Sequence, residues 1–320
     1  MKVIIITGQT ATGKTAYALK LAQKYNGELI NCDSRQIYKG LDIVTGKDIE
    51  KKSRFITIDS NDRFNIGYYL IRGVKLWLYD IVDLRQHFSS YDWVQCALFV
   101  IKNILSRNKT PIIVGGTYFY LYHLIYDVET QHIRADWKLR QELDAKPVRE
   151  LQKLYRSLDK SSFNKLNNSD KNNPQRLIRK IEIISHYKKL KLPYQKHMTN
   201  FNIPKTISLG KKLDRKIQIQ YEGLMYKNQK YIAEHIKKRV VKRLTLGAIE
   251  EVKNLLKNDY SEHDPGLKTI GCSQIISFLK KKVTEKQAID EWITKEIQYA
   301  KRQFTFMSRD ANICWKSIHI

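Results

Sequence analysis

The chain has 320 residues, 42% of them hydrophobic, and a formal net charge of +26. This length allows a nucleotide-type domain with additional structure and a substantial core. No apolar run approaches the roughly 18 residues of a membrane span, and the N-terminus lacks a signal-peptide pattern, so we expect neither a membrane partner nor export. The four cysteines are scattered without a C-x-x-C pair, which favours free thiols in a reducing, cytoplasmic compartment over disulfides or a zinc site.

The positive charge is concentrated in the second part of the chain. Residues 1–130 hold 17 Lys and Arg against 12 Asp and Glu, whereas residues 131–320 hold 41 against 20. Such an excess is typical of a protein that binds a polyanion, and nucleic acid is the natural candidate. A lysine-rich coding bias is the alternative explanation.

The first predicted element is a buried strand in the apolar run of residues 1–7, followed directly by a phosphate-binding pattern. Its eight residues spell G-x-x-x-x-G-K-T: Gly8, Gln9, Thr10, Ala11, Thr12, Gly13, Lys14 and Thr15. A helical pattern follows, so backbone N–H groups and the helix N-terminus would face an anion. Lys14 would reach the outer phosphates, and the Thr15 hydroxyl could ligate Mg²⁺. The pattern predicts a phosphorylated ligand; the alternative is a glycine-rich turn that binds nothing.

Two further buried strands are predicted at residues 28–32 and 110–114. The first ends at Asp33 and the second at Gly115-Gly116-Thr117. Strands that alternate with helices predict an α/β fold with a parallel sheet, whose carboxyl ends carry the ligands, so these turns and the phosphate loop should share one rim. Asp33 is either a magnesium ligand or general base, or a helix N-cap. The glycine pair with Thr117 is either a ligand contact or an ordinary β-to-α turn.

A change of pattern near residue 126 predicts a second domain. Residues 126–199 lack strand signals and favour a small helical domain inserted in a core formed by residues 1–125 and 200–320. Within the insertion, a helix is predicted to begin near Pro174.

Downstream of the insertion, the pattern predicts a short strand at 206–209 and basic helices over 229–258 and 285–307. Arg176 and Arg179 lie three residues apart on the inserted helix, on one face. These basic groups could grip phosphates or a base, or they could lie on solvated helix faces.

Taken together and in this order, these segments resemble the tRNA dimethylallyltransferases, also called tRNA isopentenyltransferases. The matching positions are Gly8–Thr15, Asp33–Tyr38, Gly40–Ile43, Thr45, Lys47, Phe88-Ser89, Gly115–Thr117, Pro174–Arg176, Arg239, Gly271 and Lys301-Arg302-Gln303. They cover nearly the whole chain. The phosphate loop is shared with many enzymes, but the D-S-x-Q-x-Y, V-G-G-T and K-R-Q segments in series are specific to this family.

The resemblance implies a P-loop NTPase-like core with C-terminal helices and an inserted helical domain that grips the anticodon stem of tRNA. It implies that a dimethylallyl group moves from dimethylallyl diphosphate to N6 of adenosine 37 in tRNA, with Mg²⁺. By position, Asp33 would be the general base, and Lys14, Thr15 and Arg239 would hold the diphosphate. The positions implied to contact tRNA are Asp33, Ser34, Arg35, Gln36, Thr117, Arg140, Gln175, Arg176, Leu177, Ile178 and Arg179. We expect a monomer, because nothing in the sequence indicates a coiled coil or a large apolar patch.

The chain departs from the family pattern at several positions. Gln9 replaces a proline, Asn173 an acid, Cys272 and Ser273 the Tyr-Arg of G-Y-R-Q, His235 an arginine, and Phe306 a tryptophan. These changes fall largely on positions expected to face or support RNA, whereas the diphosphate and base positions are intact, so we expect an active enzyme.

Two rival functions are a phosphate-loop kinase of nucleotides or metabolites, and an RNA-binding protein switched by nucleotide hydrolysis. A kinase explains the phosphate loop but not the basic second part of the chain. A nucleotide switch explains both, but leaves the Asp33 and Arg239 pair without a role.

Overall fold

The computed structural model describes residues 1–50, 53–60, 63–128, 130, 132–191, 203–228 and 230–318. The chain forms two compact units, one comprising Met1–Tyr126 with Lys205–Ile320 and the other Asp127–Pro204. The predicted domain boundary at residues 199–200 lies outside the described residues, as does residue 229, the predicted start of a basic helix.

Eight strands of the described chain form one sheet in the first unit. They are β1 (Lys2–Gly8), β2 (Gly27–Asn31), β3 (Ile56–Ser60), β4 (Asn65–Ile71), β5 (Val74–Trp77), β6 (Thr110–Val114), β7 (Gln218–Tyr226) and β8 (Cys314–Ile318). Their order is β3-β4-β5-β2-β6-β1-β7-β8. The pairs from β5 to β8 are parallel, and β4 and β3 extend the sheet by antiparallel pairing. The predicted α/β fold with a parallel sheet is confirmed.

The centre of the sheet explains why β1 reads as a continuous apolar run. β1 pairs with β6 on one side and with β7 on the other, and Ile4, Ile5 and Ile6 are fully buried. A parallel strand covered on both faces needs apolar side chains in both directions. β2 lies on the far side of β6, so β2, β6 and β1 end next to each other.

Helices surround the sheet and form the second unit. They are α1 (Lys14–Lys24), α2 (Ser90–Ser106), α3 (Tyr118–Ile125), α4 (Trp137–Asp144), α5 (Val148–Leu158), α6 (Lys160–Asn164), α7 (Asn168–Lys171), α8 (Pro174–Lys189), α9 (Leu209–Leu213), α10 (Lys230–Thr245), α11 (Ala248–Lys257), α12 (Cys272–Leu279) and α13 (Glu285–Met307). Helices α4 to α8 belong to the second unit, and α8 begins at Pro174 as predicted. Helix α13 also matches its predicted range.

The strand predicted at 206–209 is wrong. Residues 206–208 are not in a strand, Leu209 begins α9, and β7 is the strand that returns to the sheet. β7 contains polar residues, above all Glu222, so its sequence lacks the apolar run that predicts a buried strand. This carboxylate is buried but accepts hydrogen bonds from Tyr17 (2.8 Å) and Gln220 (2.6 Å) and pairs with Lys316 (2.7 Å), which makes a charge tolerable in the sheet.

The single basic helix predicted over 229–258 is also wrong, because α10 and α11 are separate helices. The break falls at Gly247, whose φ of +100° is a backbone conformation that favours glycine. None of the helices in the described ranges is both long and apolar enough to cross a membrane. All four cysteines are free thiols, as predicted, and Cys314 is the exposed one.

Candidate active site

The phosphate loop joins β1 to α1 through a backbone with positive φ angles. Gly8 has φ +136°, and a Cβ there would lie 2.2 Å from the carbonyl oxygen of Leu224 on β7, so this position requires glycine. Ala11 (φ +65°) and Gly13 (φ +72°) also lie in the left-handed region. Helix α1 begins at Lys14 without a side-chain cap hydrogen bond, so its first N–H groups are available to an anion.

Side chains hold the loop in shape. The hydroxyl of Thr12 donates to the carbonyl oxygen of Gln9 (2.8 Å), and the Lys14 ammonium donates to the same oxygen (2.6 Å). Tyr226, at the end of β7, donates to the carbonyl oxygen of Ala11 (2.6 Å). The loop is therefore fixed by its own residues and by the neighbouring strand.

Lys14 lies in an environment that disfavours its charge. Burial, and then the neighbouring Arg239 guanidinium, lower the pKa of Lys14 to about 7, although Asp33 and Asp48 act in the opposite direction. An anion that approached Lys14 would reverse this balance, since an opposite charge favours the protonated amine.

Helix α10 supplies two arginines one turn apart. The Arg239 guanidinium donates to the Thr10 hydroxyl in the phosphate loop and to the carbonyl oxygen of Thr45 (3.4 Å). Arg243 donates to the same Thr45 oxygen (3.0 Å) and pairs with Glu296 of α13 (2.7 Å). Burial, and then Arg239, lower the pKa of Arg243 to about 10. These residues face inward rather than forming a solvated face.

Asp33 lies in a tight turn after β2. Its Oδ1 accepts a hydrogen bond from the N–H of Arg35 (2.8 Å), and residues 34–37 form a turn, so Asp33 is not a helix N-cap. The N–H of Ser34 donates to Oγ1 of Thr117, at the end of β6 (3.0 Å). The turn that carries Asp33 is therefore hydrogen-bonded to Thr117 through Ser34. Thr117 also leads directly into α3, as an ordinary β-to-α turn would.

Two further residues of the D-S-x-Q-x-Y segment, Gln36 and Arg35, donate hydrogen bonds to backbone carbonyl groups. The Gln36 amide donates to the carbonyl oxygens of Thr45 (3.3 Å) and Gly46 (3.1 Å). Arg35 donates to the carbonyl oxygen of Pro265 (3.3 Å) at the protein surface. Gln36 thus binds the backbone of Thr45, whose carbonyl oxygen also accepts hydrogen bonds from both α10 arginines.

Helix α13 contributes residues that were not assigned a role from the sequence. The Oε1 of Gln303 accepts from the N–H of Thr10 (2.8 Å), and its Nε2 donates to the carbonyl oxygen of Gly116 (2.9 Å). One turn earlier, the Tyr299 side chain lies beside Thr117 and Gln303; burial, and then the charge of Asp33, raise the pKa of Tyr299. The phosphate loop, Asp33 and Thr117 meet on one rim, as predicted from the strand ends.

In the second unit, Arg140 and Arg179 bind a buried carboxylate. Glu182 is almost fully buried; Arg140 reaches it with two hydrogen bonds of 2.8 Å, and Arg179 also pairs with it. Burial alone would raise the pKa of Glu182, but hydrogen bonds from the two arginines lower it. Arg179 also donates to the carbonyl oxygens of Thr130 (3.1 Å) and Ile133 (3.0 Å). Both guanidinium groups are therefore engaged within the unit, and their contact with RNA stays a prediction.

The residues around them on α8 differ in exposure. The Leu177 and Ile178 side chains lie in the hydrophobic core of the second unit, and the tRNA contact implied at these two positions stays a prediction. Gln175 is exposed, and so is Arg176, whose guanidinium pairs with Asp170. Of the five α8 positions implied to contact tRNA, from Gln175 to Arg179, these two have exposed side chains.

The departures from the family pattern have local explanations at three positions. Asn173 caps α8 by accepting from the N–H of Arg176 (3.1 Å), a function that asparagine performs as well as aspartate. The His235 ring stacks on Tyr226 at 5.1 Å, and Gln9 is fully buried. Cys272 is buried at the start of α12, whereas Ser273 and Phe306 are exposed.

Family models match almost the whole chain. One described as IPP transferase matches residues 36–310, and another described as isopentenyl transferase matches residues 1–58. The chain belongs to the IPP transferase family. The family predicted from the sequence is confirmed, and with it the prediction of a prenyltransferase enzyme.

Named relatives and a solved structure support the same family assignment. The tRNA dimethylallyltransferase of Acetivibrio thermocellus is 30% identical over 98% of this chain and 90% of its own length. The tRNA dimethylallyltransferase 2 of Treponema denticola is 32% identical over 96% of this chain and 91% of its own length. The crystal structure of the tRNA isopentenylpyrophosphate transferase of Bacillus halodurans superimposes with a TM-score of 0.63 at 28% identity, covering 99% of this chain and 89% of that one. The predicted P-loop NTPase-like fold is confirmed.

From the sequence, no role was assigned to Arg243, Tyr299 or Gln303 at this IPP transferase site, although Gln303 belongs to the K-R-Q segment singled out there. A helical spacing of four residues would have found two of them, because Arg243 follows Arg239 by one turn and Tyr299 precedes Gln303 by one turn. Nothing in the sequence shows that α13 contacts the phosphate loop.

Proposed function

We propose that this protein transfers the dimethylallyl group of dimethylallyl diphosphate to N6 of adenosine 37 in tRNA and releases diphosphate. The observation that carries the proposal is the meeting of a phosphate loop and a turn-borne carboxylate at the ends of β1 and β2, the two parallel strands on either side of β6, in a chain of the IPP transferase family. The phosphate loop then holds a leaving group, and carbon rather than phosphorus is attacked.

The donor side consists of the phosphate loop and the side chains around it. The N–H groups at the start of α1, together with Lys14 and Arg239, would bind the diphosphate oxygens. Negative charge grows on the leaving diphosphate as the carbon–oxygen bond breaks. Positioned cations in a partly buried pocket stabilise that charge more strongly than water does.

The acceptor side is centred on Asp33. The exocyclic amine of adenine is a weak nucleophile, because its lone pair is delocalised into the ring. As its nitrogen forms a bond to the allylic carbon, the carbon–oxygen bond to diphosphate breaks and the oxygen keeps the electron pair. The amine proton passes to the Asp33 carboxylate. A hydrogen bond from the N–H of Arg35 to Oδ1 of Asp33 holds this carboxylate in place. Thr117 and Ser34 would border the base.

Magnesium fits the residues of the loop. Thr15 occupies the second position of α1, and its hydroxyl makes no hydrogen bond to any described residue. Mg²⁺ is commonly bound by one or two protein oxygens together with substrate phosphates, so Thr15 and the diphosphate would hold it. When bound, the ion supplies further positive charge for the leaving group.

The tRNA substrate accounts for the uneven charge of the chain. The second unit, with exposed Gln175 and Arg176, and the basic helices of the core would contact the anticodon stem-loop. The target base must leave its stack to react, at a cost of a few kcal/mol that such contacts offset. We propose that the protein acts as a cytoplasmic monomer.

The proposal is tested with purified protein, radiolabelled dimethylallyl diphosphate, Mg²⁺ and unmodified tRNA in which adenosine 37 follows A36. We expect label in tRNA, and none in a tRNA with guanosine at position 37. Absence of transfer together with ATP-dependent phosphorylation of a metabolite would reject the proposal in favour of a kinase.

A further inference from the structure

Helix α13 connects the two halves of the candidate active site. We propose that Gln303 and Tyr299 are positioning residues that hold the phosphate loop and the Asp33 turn in a fixed relation to each other. The reaction on which they act is the one proposed above, so the inference rests on that function. Neither side chain is required to touch a substrate.

The two ends of the Gln303 amide bind opposite types of backbone group. Its oxygen accepts from the N–H of Thr10 in the phosphate loop, and its nitrogen donates to the carbonyl oxygen of Gly116. A carboxylate at this position would keep the first contact but would bring two acceptor oxygens together at the second. The side chain is buried, so a lost partner cannot be replaced easily by water.

Gln303 approaches the V-G-G-T turn closely at Gly116, which has no side chain. A Cβ on Gly116 would lie 2.2 Å from Nε2 of Gln303. The helix side chain and the turn are therefore fitted closely to each other. At its other end, Gln303 holds the loop next to Thr10, which Arg239 also contacts.

Tyr299 extends the connection toward the base. Its side chain lies beside Thr117 and Gln303, and Thr117 in turn accepts from the N–H of Ser34, next to Asp33. Hydrogen bonds thus join Thr10 to Gln303 at one end and Thr117 to Ser34 at the other, and Tyr299 lies between the two pairs. A small displacement of a reacting group slows a reaction strongly, so this arrangement should affect catalysis more than folding.

The test compares three variants with a matched control on the same helix. Gln303→Met keeps the side-chain volume and removes both hydrogen bonds, Gln303→Glu removes only the donor, and Tyr299→Phe removes only the hydroxyl. Gln298→Glu makes the same charge change at an exposed position of α13. Transfer kinetics, binding of inorganic diphosphate, tRNA binding and the thermal unfolding midpoint are measured for each.

We expect Gln303 variants to change kcat/KM for the donor and the Tyr299 variant to change mainly kcat. Gln303→Met should lower kcat/KM for the donor by about 10- to 100-fold and weaken diphosphate binding, because the phosphate loop loses its anchor. Tyr299→Phe should lower kcat by about tenfold with the donor KM within about twofold. Gln303→Glu should fall between the wild type and Gln303→Met, and Gln298→Glu should match the wild type.

Three outcomes would overturn the inference. The first is a folded Gln303→Met protein with donor kcat/KM within about threefold of the wild type. The second is a loss confined to the KM for tRNA, which would make Gln303 an RNA contact. The third is an unchanged kcat for Tyr299→Phe. This result alone would overturn the inference if both Gln303 variants fail to fold. Should the wild type itself transfer nothing, the proposed function fails, and diphosphate binding alone decides the role of Gln303.

Discussion

Binding of diphosphate should take up a proton at Lys14. The pKa of Lys14 is lowered to about 7 by burial and by Arg239. At pH 8 only about one lysine in eleven would be protonated in the free protein, by the ordinary titration relation. A bound diphosphate favours the protonated amine, so its pKa rises on binding. The uptake expected at Lys14 is therefore about 0.9 proton at pH 8, about 0.5 at pH 7 and about 0.1 at pH 6.

The same linkage sets the pH dependence of affinity. A group with a higher pKa in the bound state contributes fully to binding below its free pKa and loses that contribution as the pH rises. Affinity for diphosphate should therefore be insensitive to Lys14 below pH 7, and fall by up to about tenfold per pH unit above it.

Isothermal titration calorimetry of inorganic diphosphate measures this uptake. Titrations at pH 6, 7 and 8 in buffers with different ionisation enthalpies give the number of protons exchanged. The Lys14→Arg variant keeps a positive charge that does not titrate, so it reports the protons exchanged by the ligand and by other groups. The difference between the two proteins belongs to Lys14. A difference near zero at pH 8, with binding retained in both, would show that diphosphate binding does not change the protonation of Lys14 and would refute the reasoning.

Three further predictions concern the base, the second unit and the RNA interface. Asp33→Asn should lower kcat by about 100-fold or more while filter binding of tRNA stays within a few-fold; an equal loss of binding would make Asp33 structural. Arg179→Met should lower the free energy of unfolding by about 2–3 kcal/mol in denaturant titration, because Glu182 stays buried with fewer partners. The exposed Arg176→Met should cost less than about 1 kcal/mol, and equal effects would contradict the assignment. The tRNA dissociation constant should rise steeply with salt, and a flat profile would exclude Lys and Arg contacts with phosphate.

The local features of the site could be predicted from the sequence because they depend on neighbouring residues. The phosphate loop needs its glycines, lysine and flanking strand and helix within one short segment. Asp33 and Thr117 could be placed with it, since the carboxyl ends of parallel strands share an edge. The same reasoning failed for β7, where long-range partners make the buried Glu222 tolerable.

Which protein groups each charged residue contacts was decided only by the tertiary structure. In sequence, Arg179 and Arg239 are both basic residues on helices. In the fold, Arg179 is occupied by Glu182 and backbone carbonyl groups, whereas Arg239 reaches the phosphate loop. Gln303 likewise meets Thr10 across 293 positions of the chain. Residue type and local pattern determined the chemistry available to this protein, but burial and distant hydrogen-bond partners determined where that chemistry is used.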